Sequence, residues 1–115
     1  RRNNRVKKLI IVLCSISLYT FGQAQNFRLT EIAGGFSTIV DIVNANDSRL
    51  FIVDSGKIKI FKNGQTNVTP FLDISNRIEW MMALCFHPNY AQNGYFYVKY
   101  KDLNANCVIS RFSVS

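Results

Sequence analysis

The chain is poor in the side chains that most site chemistry on proteins requires. Its 115 residues include one histidine, three cysteines, one tryptophan, two prolines and seven acidic residues. With a single histidine and no Cys-x-x-Cys pair, a four-coordinate structural zinc site would have to draw carboxylates from unrelated places, and it is excluded. Asp41, Asp47, Asp54 and Asp73 are dispersed through turn-prone text, so no carboxylate pair of the glycosidase kind is legible. No stretch repeats its apolar residues at the helical period, which excludes a helical bundle. No apolar run reaches the roughly 20 residues of a bilayer-spanning helix, so no stable membrane anchor is expected.

What is there begins with a lopsided charge. The formal net charge is +7, but five of the fourteen cations, Arg1, Arg2, Arg5, Lys7 and Lys8, lie in the first eight residues. Nine cations against seven anions remain beyond residue 24, too little excess for a polyanion-binding surface. The basic run is followed by apolar Leu9 to Phe21 and by the small-residue pattern Gly22-Gln23-Ala24, which together read as a secretory signal peptide over residues 1–24, cleaved after Ala24. The expected location is secreted or periplasmic. Export would permit one bridge between Cys85 and Cys107, although the simpler expectation is two unpaired cysteines on strands.

Beyond residue 26 the apolar residues recur at period two in short runs separated by Gly, Asn, Asp and Ser, the pattern of half-buried antiparallel strands. Strands are expected over 27–32, 38–43, 49–53, 57–61 and 68–74, then over 81–86, 94–101 and 107–114. Asn63-Gly64 is the strongest hairpin signal, and Pro70 suggests an edge position for the strand around it. An entry strand at 27–32, then four strands followed by three of a second set, is the pattern of a β-propeller, whose blades repeat every 40 to 45 residues or so. The fold class expected is therefore all-β, about two blades at the N-terminal end of a propeller, with residues 25–115 a truncated portion of a longer domain.

Several pieces then become recognisable in order: Arg49-Leu50-Phe51-Ile52-Val53, Gly56-Lys57-Ile58-Lys59-Ile60-Phe61, Pro70-Phe71-Leu72-Asp73-Ile74-Ser75, Phe86-His87-Pro88-Asn89-Tyr90, Asn93-Gly94-Tyr95-Phe96-Tyr97-Val98 and Ile109-Ser110-Arg111-Phe112. Together they resemble the N-terminal part of the glucose/sorbosone dehydrogenase family of secreted six-bladed propellers. The resemblance implies a PQQ-dependent aldose dehydrogenase that oxidises a sugar hydroxyl by hydride transfer to the quinone, with calcium as a second cofactor and a sugar as the small-molecule partner. The family's catalytic histidine, its quinone-binding cations and its calcium ligands belong to later motifs, so this stretch alone is expected to be inactive.

The family's glycine-rich loop is altered here to Ile78-Glu79-Trp80-Met81-Met82-Ala83-Leu84-Cys85. A gapless match puts Ile78 at a polar position near the cofactor. A one-residue shift would put Glu79 there, which makes Glu79 the one candidate for an active-site loop position. Trp80 replaces a glycine, a costly exchange if the backbone there needs positive φ. His87, ahead of Pro88, is expected to be a loop histidine with its ring nitrogens satisfied by nearby backbone, not a general base. The aromatic alternation at Tyr95 and Tyr97 superficially suggests an RNA-stacking strand, but the two helices of that fold are absent and no nucleic-acid partner is expected. Asn67-Val68-Thr69 is a formal glycosylation sequon read as strand. The altered loop leaves a second reading: a non-catalytic extracellular β-propeller binding protein.

Overall fold

The computed structural model describes Gly22 and residues 24–115. The expected leader, with Cys14, lies almost wholly outside the described residues. Two units are distinguished, one ending at Thr30 and the other running from Glu31 to Ser115. Both sheets belong to the second.

The chain is all-β, and its two consecutive antiparallel sheets have the arrangement of a partial β-propeller. The first sheet runs β1 (Ile39–Asn44), β2 (Leu50–Asp54), β3 (Lys57–Lys62) and β4 (Gln65–Thr66), with β5 (Leu72–Asp73) also pairing with β3. The second runs β6 (Ile78–Phe86), β7 (Tyr95–Asp102) and β8 (Cys107–Ser113). A single helical turn, α1 (Tyr90–Asn93), sits between β6 and β7. All of the hairpins follow from local chemistry. Ser55-Gly56 and Asn63-Gly64 each place two residues at positive φ, which gives the turn twist that matches right-handed strands.

Alternation in β2 and β3 sends Phe51, Val53, Ile58 and Ile60 to one face, where they meet Ile78, Met81, Leu84, Phe96 and Val98 of the second sheet. Each such side chain contributes about 1.5 to 3 kcal/mol on burial, and this shared core is what joins the sheets. Phe51 also packs edge-on against Phe71 and lies 4.6 Å from Phe86, so aromatic rings from both sheets close one side of it.

The opposite face of β2 carries Asp54, only 2% exposed. Its carboxylate accepts the backbone N–H groups of Ser37 and Thr38, at 3.1 and 2.7 Å, and pairs with the Lys59 ammonium at 2.7 Å. Burial pushes the Asp54 carboxyl up, but the Lys59 ammonium and the two amides outweigh it and hold the group below the usual carboxylate range. Lys59 also lies over the Phe36 ring at 5.4 Å. Asp54 thereby fastens the segment ahead of β1 to the sheet.

Two expected strands differ. Residues 27–32 form no strand, and Phe27, Leu29 and Ile32 stand 89, 98 and 61% exposed. Period-two text becomes a strand only where a ladder partner accepts its backbone, and none is provided. The expected strand over 68–74 shrinks to β5 (Leu72–Asp73), with β4 (Gln65–Thr66) paired ahead of it. Pro70 has no N–H to give, and the chain touches β3 on either side of it, through Asn67 N–H to the Ile60 carbonyl at 2.8 Å and Phe71 N–H to the Ile58 carbonyl at 2.7 Å.

Every register shift among the described residues lies on an edge strand of its sheet. Val40 is an extra residue in β1, and Glu79 and Met82 are extra residues in β6. Bulges on edge strands discourage pairing with foreign strands and re-aim side chains, which is why Ile78, Met81 and Leu84 are buried at a spacing of three instead of two. Trp80 sits in this strand without positive φ, so the glycine-like backbone that its position suggested is not present. The Asp41 carboxylate accepts the N–H of Leu84 at 3.0 Å and so ties the edge strands β1 and β6 together.

Candidate functional site

At one end of β1 and β6, the β1–β2 turn and the β6–β7 loop face each other across an open groove of about 800 Å³. Each rim uses its own side chains to fix its backbone. On the first, Asn44 Nδ2 donates to the carbonyls of Asp47 and Arg49, at 2.6 and 2.8 Å, while its Oδ1 accepts the N–H of Asn46 at 2.7 Å. Asn46 has φ of 61°, a left-handed conformation that asparagine tolerates better than most residues. Asp47 takes the Arg49 guanidinium at 2.6 Å, which holds the Asp47 carboxyl below its usual range and raises the Arg49 guanidinium. Arg49 in turn lies over the Phe51 ring at 4.8 Å.

The second rim is built around His87. The N–H of Tyr95 donates to Asn93 Oδ1 at 2.9 Å, and a backbone donor cannot be reversed. Asn93 therefore turns its Nδ2 toward His87 Nδ1, 2.9 Å away. The N–H of Asn89 donates to the same nitrogen at 3.0 Å. With two donors directed at it, Nδ1 is a hydrogen-bond acceptor whose lone pair is already engaged. The loop closes through Gly94, in the left-handed region at φ of 66°, whose N–H caps α1 at the Tyr90 carbonyl.

His87 lies in the β6–β7 loop, as sequence reasoning expected, but its backbone partner, the Asn89 N–H, reaches Nδ1 alone, and the second contact there comes from the Asn93 side chain. Cys85 and Cys107 are both free, as the simpler expectation had it; Cys107 Sγ lies 3.9 Å from Met82 Sδ. Glu79 is an exposed bulge residue paired with Lys101 at 3.1 Å, near the start of β6. It is thus at the opposite end of that strand from the groove, and the fold brings Glu79 and His87 to no common site. Ile78 is a core residue, 5% exposed. The Asn67 sequon lies on an exposed bend between β4 and β5 and is not strand. What sequence reasoning missed is the pairing of the two rims. The clustering of Asn44, Asn46, Asn89 and Asn93 in two turn segments was its available signal.

No family model matches the chain. Among curated proteins it is similar to the human Hedgehog-interacting protein, 32% identical over 87 residues, which cover 64% of this chain and 12% of that protein. It is likewise similar to the mouse Hedgehog-interacting protein, 34% identical over 83 residues, covering 61% of this chain and 12% of that protein. The chain thus spans about an eighth of the length of these relatives.

These findings overturn the resemblance to glucose/sorbosone dehydrogenases and, with it, the reading as a PQQ-dependent, quinoprotein oxidoreductase acting on a sugar. The geometry supplies the physical reason. The position that the resemblance makes polar is filled by Ile78 in the core. The quinone-binding cations and calcium ligands that the resemblance implied belong to later motifs, and these residues do not test them. No step is derived through either cofactor.

Proposed function

We propose that the chain is part of a non-catalytic extracellular β-propeller that binds a protein partner. The observation that carries this reading is the state of the groove's one histidine. His87 Nδ1 accepts from Asn89 and Asn93, and the remaining rim groups, Asn44, Asp47 and Asn93, are occupied in holding backbone. A general base must have a free lone pair within reach of the proton it removes, and this groove offers none from its histidine. It offers shape instead, with two rims stiffened in advance, which lowers the ordering cost of binding.

Two further points support the reading. The relatives of this stretch are named for an interaction, not a reaction. The signal peptide read over residues 1–24 supports export, by secretion or to a periplasm. No helix among the described residues is long and apolar enough to cross a membrane.

The test immobilises the exported chain and titrates it with a Hedgehog protein, the probe that the relatives' name suggests. In parallel, aldose-dependent dye reduction is assayed with pyrroloquinoline quinone and calcium added. Saturable binding of the Hedgehog probe without turnover is the expected result. Turnover, or no binding by a chain whose circular dichroism is that of folded β-sheet, overturns the reading.

A further inference from the structure

We infer that the groove between the β1–β2 turn and the β6–β7 loop is a recognition site for a short, uncharged polar loop of a partner protein. This deepens the binding reading above and rests on it.

The charge of the groove narrows the ligand first. Its only formally charged lining residues are Asp47 and Arg49, which neutralise each other through two guanidinium contacts, at 3.0 and 2.6 Å. His87 turns its Nδ1 to donors from Asn89 and Asn93. Phosphates, carboxylates and basic segments therefore find no uncompensated opposite charge there, and each would lose hydration without an ionic return. An uncharged ligand loses far less.

The remaining chemistry is that of amides. Asn89 and Gln92 line the groove and are exposed, and their side chains each carry a donor and an acceptor. A primary amide matches the C=O and N–H of a polypeptide in either orientation, whereas a charged side chain would select one sign. Ala91 stands between them and leaves room for the ligand.

Shape decides between a small molecule and a loop. Pockets that hold small molecules bury roughly 70 to 90% of their ligand. A site open along one side cannot enclose a free ligand that far. A loop carried by a larger body need not be enclosed, because the surfaces flanking it make the rest of the contact. The two rims suit such a visitor, since turns pinned by Asn44 and by the Asn93–His87–Asn89 bonds present their outer atoms at fixed spacing.

The experiment follows backbone amide shifts of the isotopically labelled full chain on adding millimolar acetyl-Gly-Asn-Gly-Ser-Gly-amide. The same peptide with Asn replaced by Lys or by Glu, inorganic phosphate and glucose are added in separate titrations. The expected result is saturable shifts at Asn46, Asn89, Ala91 and Gln92 with the uncharged peptide, weaker ones with the charged peptides, and none with phosphate or glucose. Ala91→Trp, which fills the groove from an exposed position, is expected to abolish these shifts while leaving those of β2 and β3 unchanged. Gln92→Glu should weaken binding of the uncharged peptide and favour the lysine peptide. Shifts confined elsewhere, no shift with the uncharged peptide, tighter binding of phosphate, glucose or a charged peptide by the parent chain, or indifference to Ala91→Trp each overturn the proposal. Because the probe is a free peptide, the outcome is separable from failure of the Hedgehog titration, which bears on the partner and not on the groove.

Discussion

Asp54 and Lys59 meet at 2.7 Å across the β2–β3 hairpin, and the same carboxylate receives the backbone of Ser37 and Thr38. One buried anion therefore holds both a neighbouring strand and the segment that leads into β1. Asparagine there keeps one carbonyl oxygen for the two amides but turns an amide donor toward the Lys59 ammonium, which loses its acceptor. Lys59 can still reach water, since its side chain is partly exposed, so the loss should be smaller than for a fully enclosed pair. We expect Asp54→Asn to cost about 2 kcal/mol, read as a lower urea midpoint with an unchanged slope.

The pH dependence of the same group has a definite sign. The Asp54 pKa is lowered on folding from an ordinary value of 3.8, so its contribution is present above that value and is lost as pH falls through the folded pKa. Asp47 and Asp73 are shifted the same way, by Arg49 and by Ser75 respectively, and add to acid lability. Stability should thus fall as the pH drops below about 4, and Asp54→Asn should flatten that fall without removing it. Equilibrium unfolding at stepped pH, parent against variant, measures the difference.

Gly94 and Gly64 both have positive φ, but they sit in different surroundings. A Cβ at Gly94 would approach the Val114 carbonyl oxygen to 2.7 Å, a backbone atom that cannot step aside cheaply, whereas at Gly64 it would meet nothing within 4 Å. Alanine at Gly64 should cost about 1 kcal/mol, the left-handed penalty alone. At Gly94 the clash adds to that penalty, and the loss should be about twofold or more larger. Thermal unfolding of the two variants ranks them.

The His87 clasp predicts a local effect rather than a global one. His87→Ala removes the acceptor shared by the Asn89 N–H and the Asn93 amide, worth about 1 kcal/mol in net stability. Hydrogen exchange at Asn89 and Tyr95 should quicken while that at Phe51 and Val98 in the core hardly changes. Equal acceleration everywhere would mean that the histidine supports the core and not the rim.

The strands were legible where sequence and ladder agree. Phe51, Val53, Ile58 and Ile60 alternate and are closed by glycine turns, and they lie where alternation puts them. Phe27 to Ile32 alternates too, yet forms no strand, because alternation describes a face and says nothing of a partner for the backbone. In β6 the opposite happened: a strand expected from Met81 begins at Ile78, since two bulges break the period and only the pairing with β7 reveals them. The groove was illegible for a related reason. Its rims are turns some forty residues apart, each readable as a turn, and their meeting depends on the Asp41 link and the shared core.

Ile78 and Glu79 give the sharpest separation between the dehydrogenase resemblance and the structure. If the resemblance described the site, either a polar residue at Ile78 would be tolerated or, with a one-residue shift, Glu79 would face a cofactor. In the structure Ile78 is buried among Met81, Leu84 and Val98, and Glu79 stands outside the ladder beside Lys101. Ile78→Gln would bury an amide with no partner and lose apolar contact, so we expect a cost of about 3 kcal/mol. Glu79→Gln removes one exposed ion pair, and we expect a change within about 0.5 kcal/mol. Urea unfolding of both variants reads the contrast directly. A stable Ile78→Gln chain beside a crippled Glu79→Gln chain would mean that β6 is paired one residue away from the register described, with its bulges misplaced and its core face exchanged.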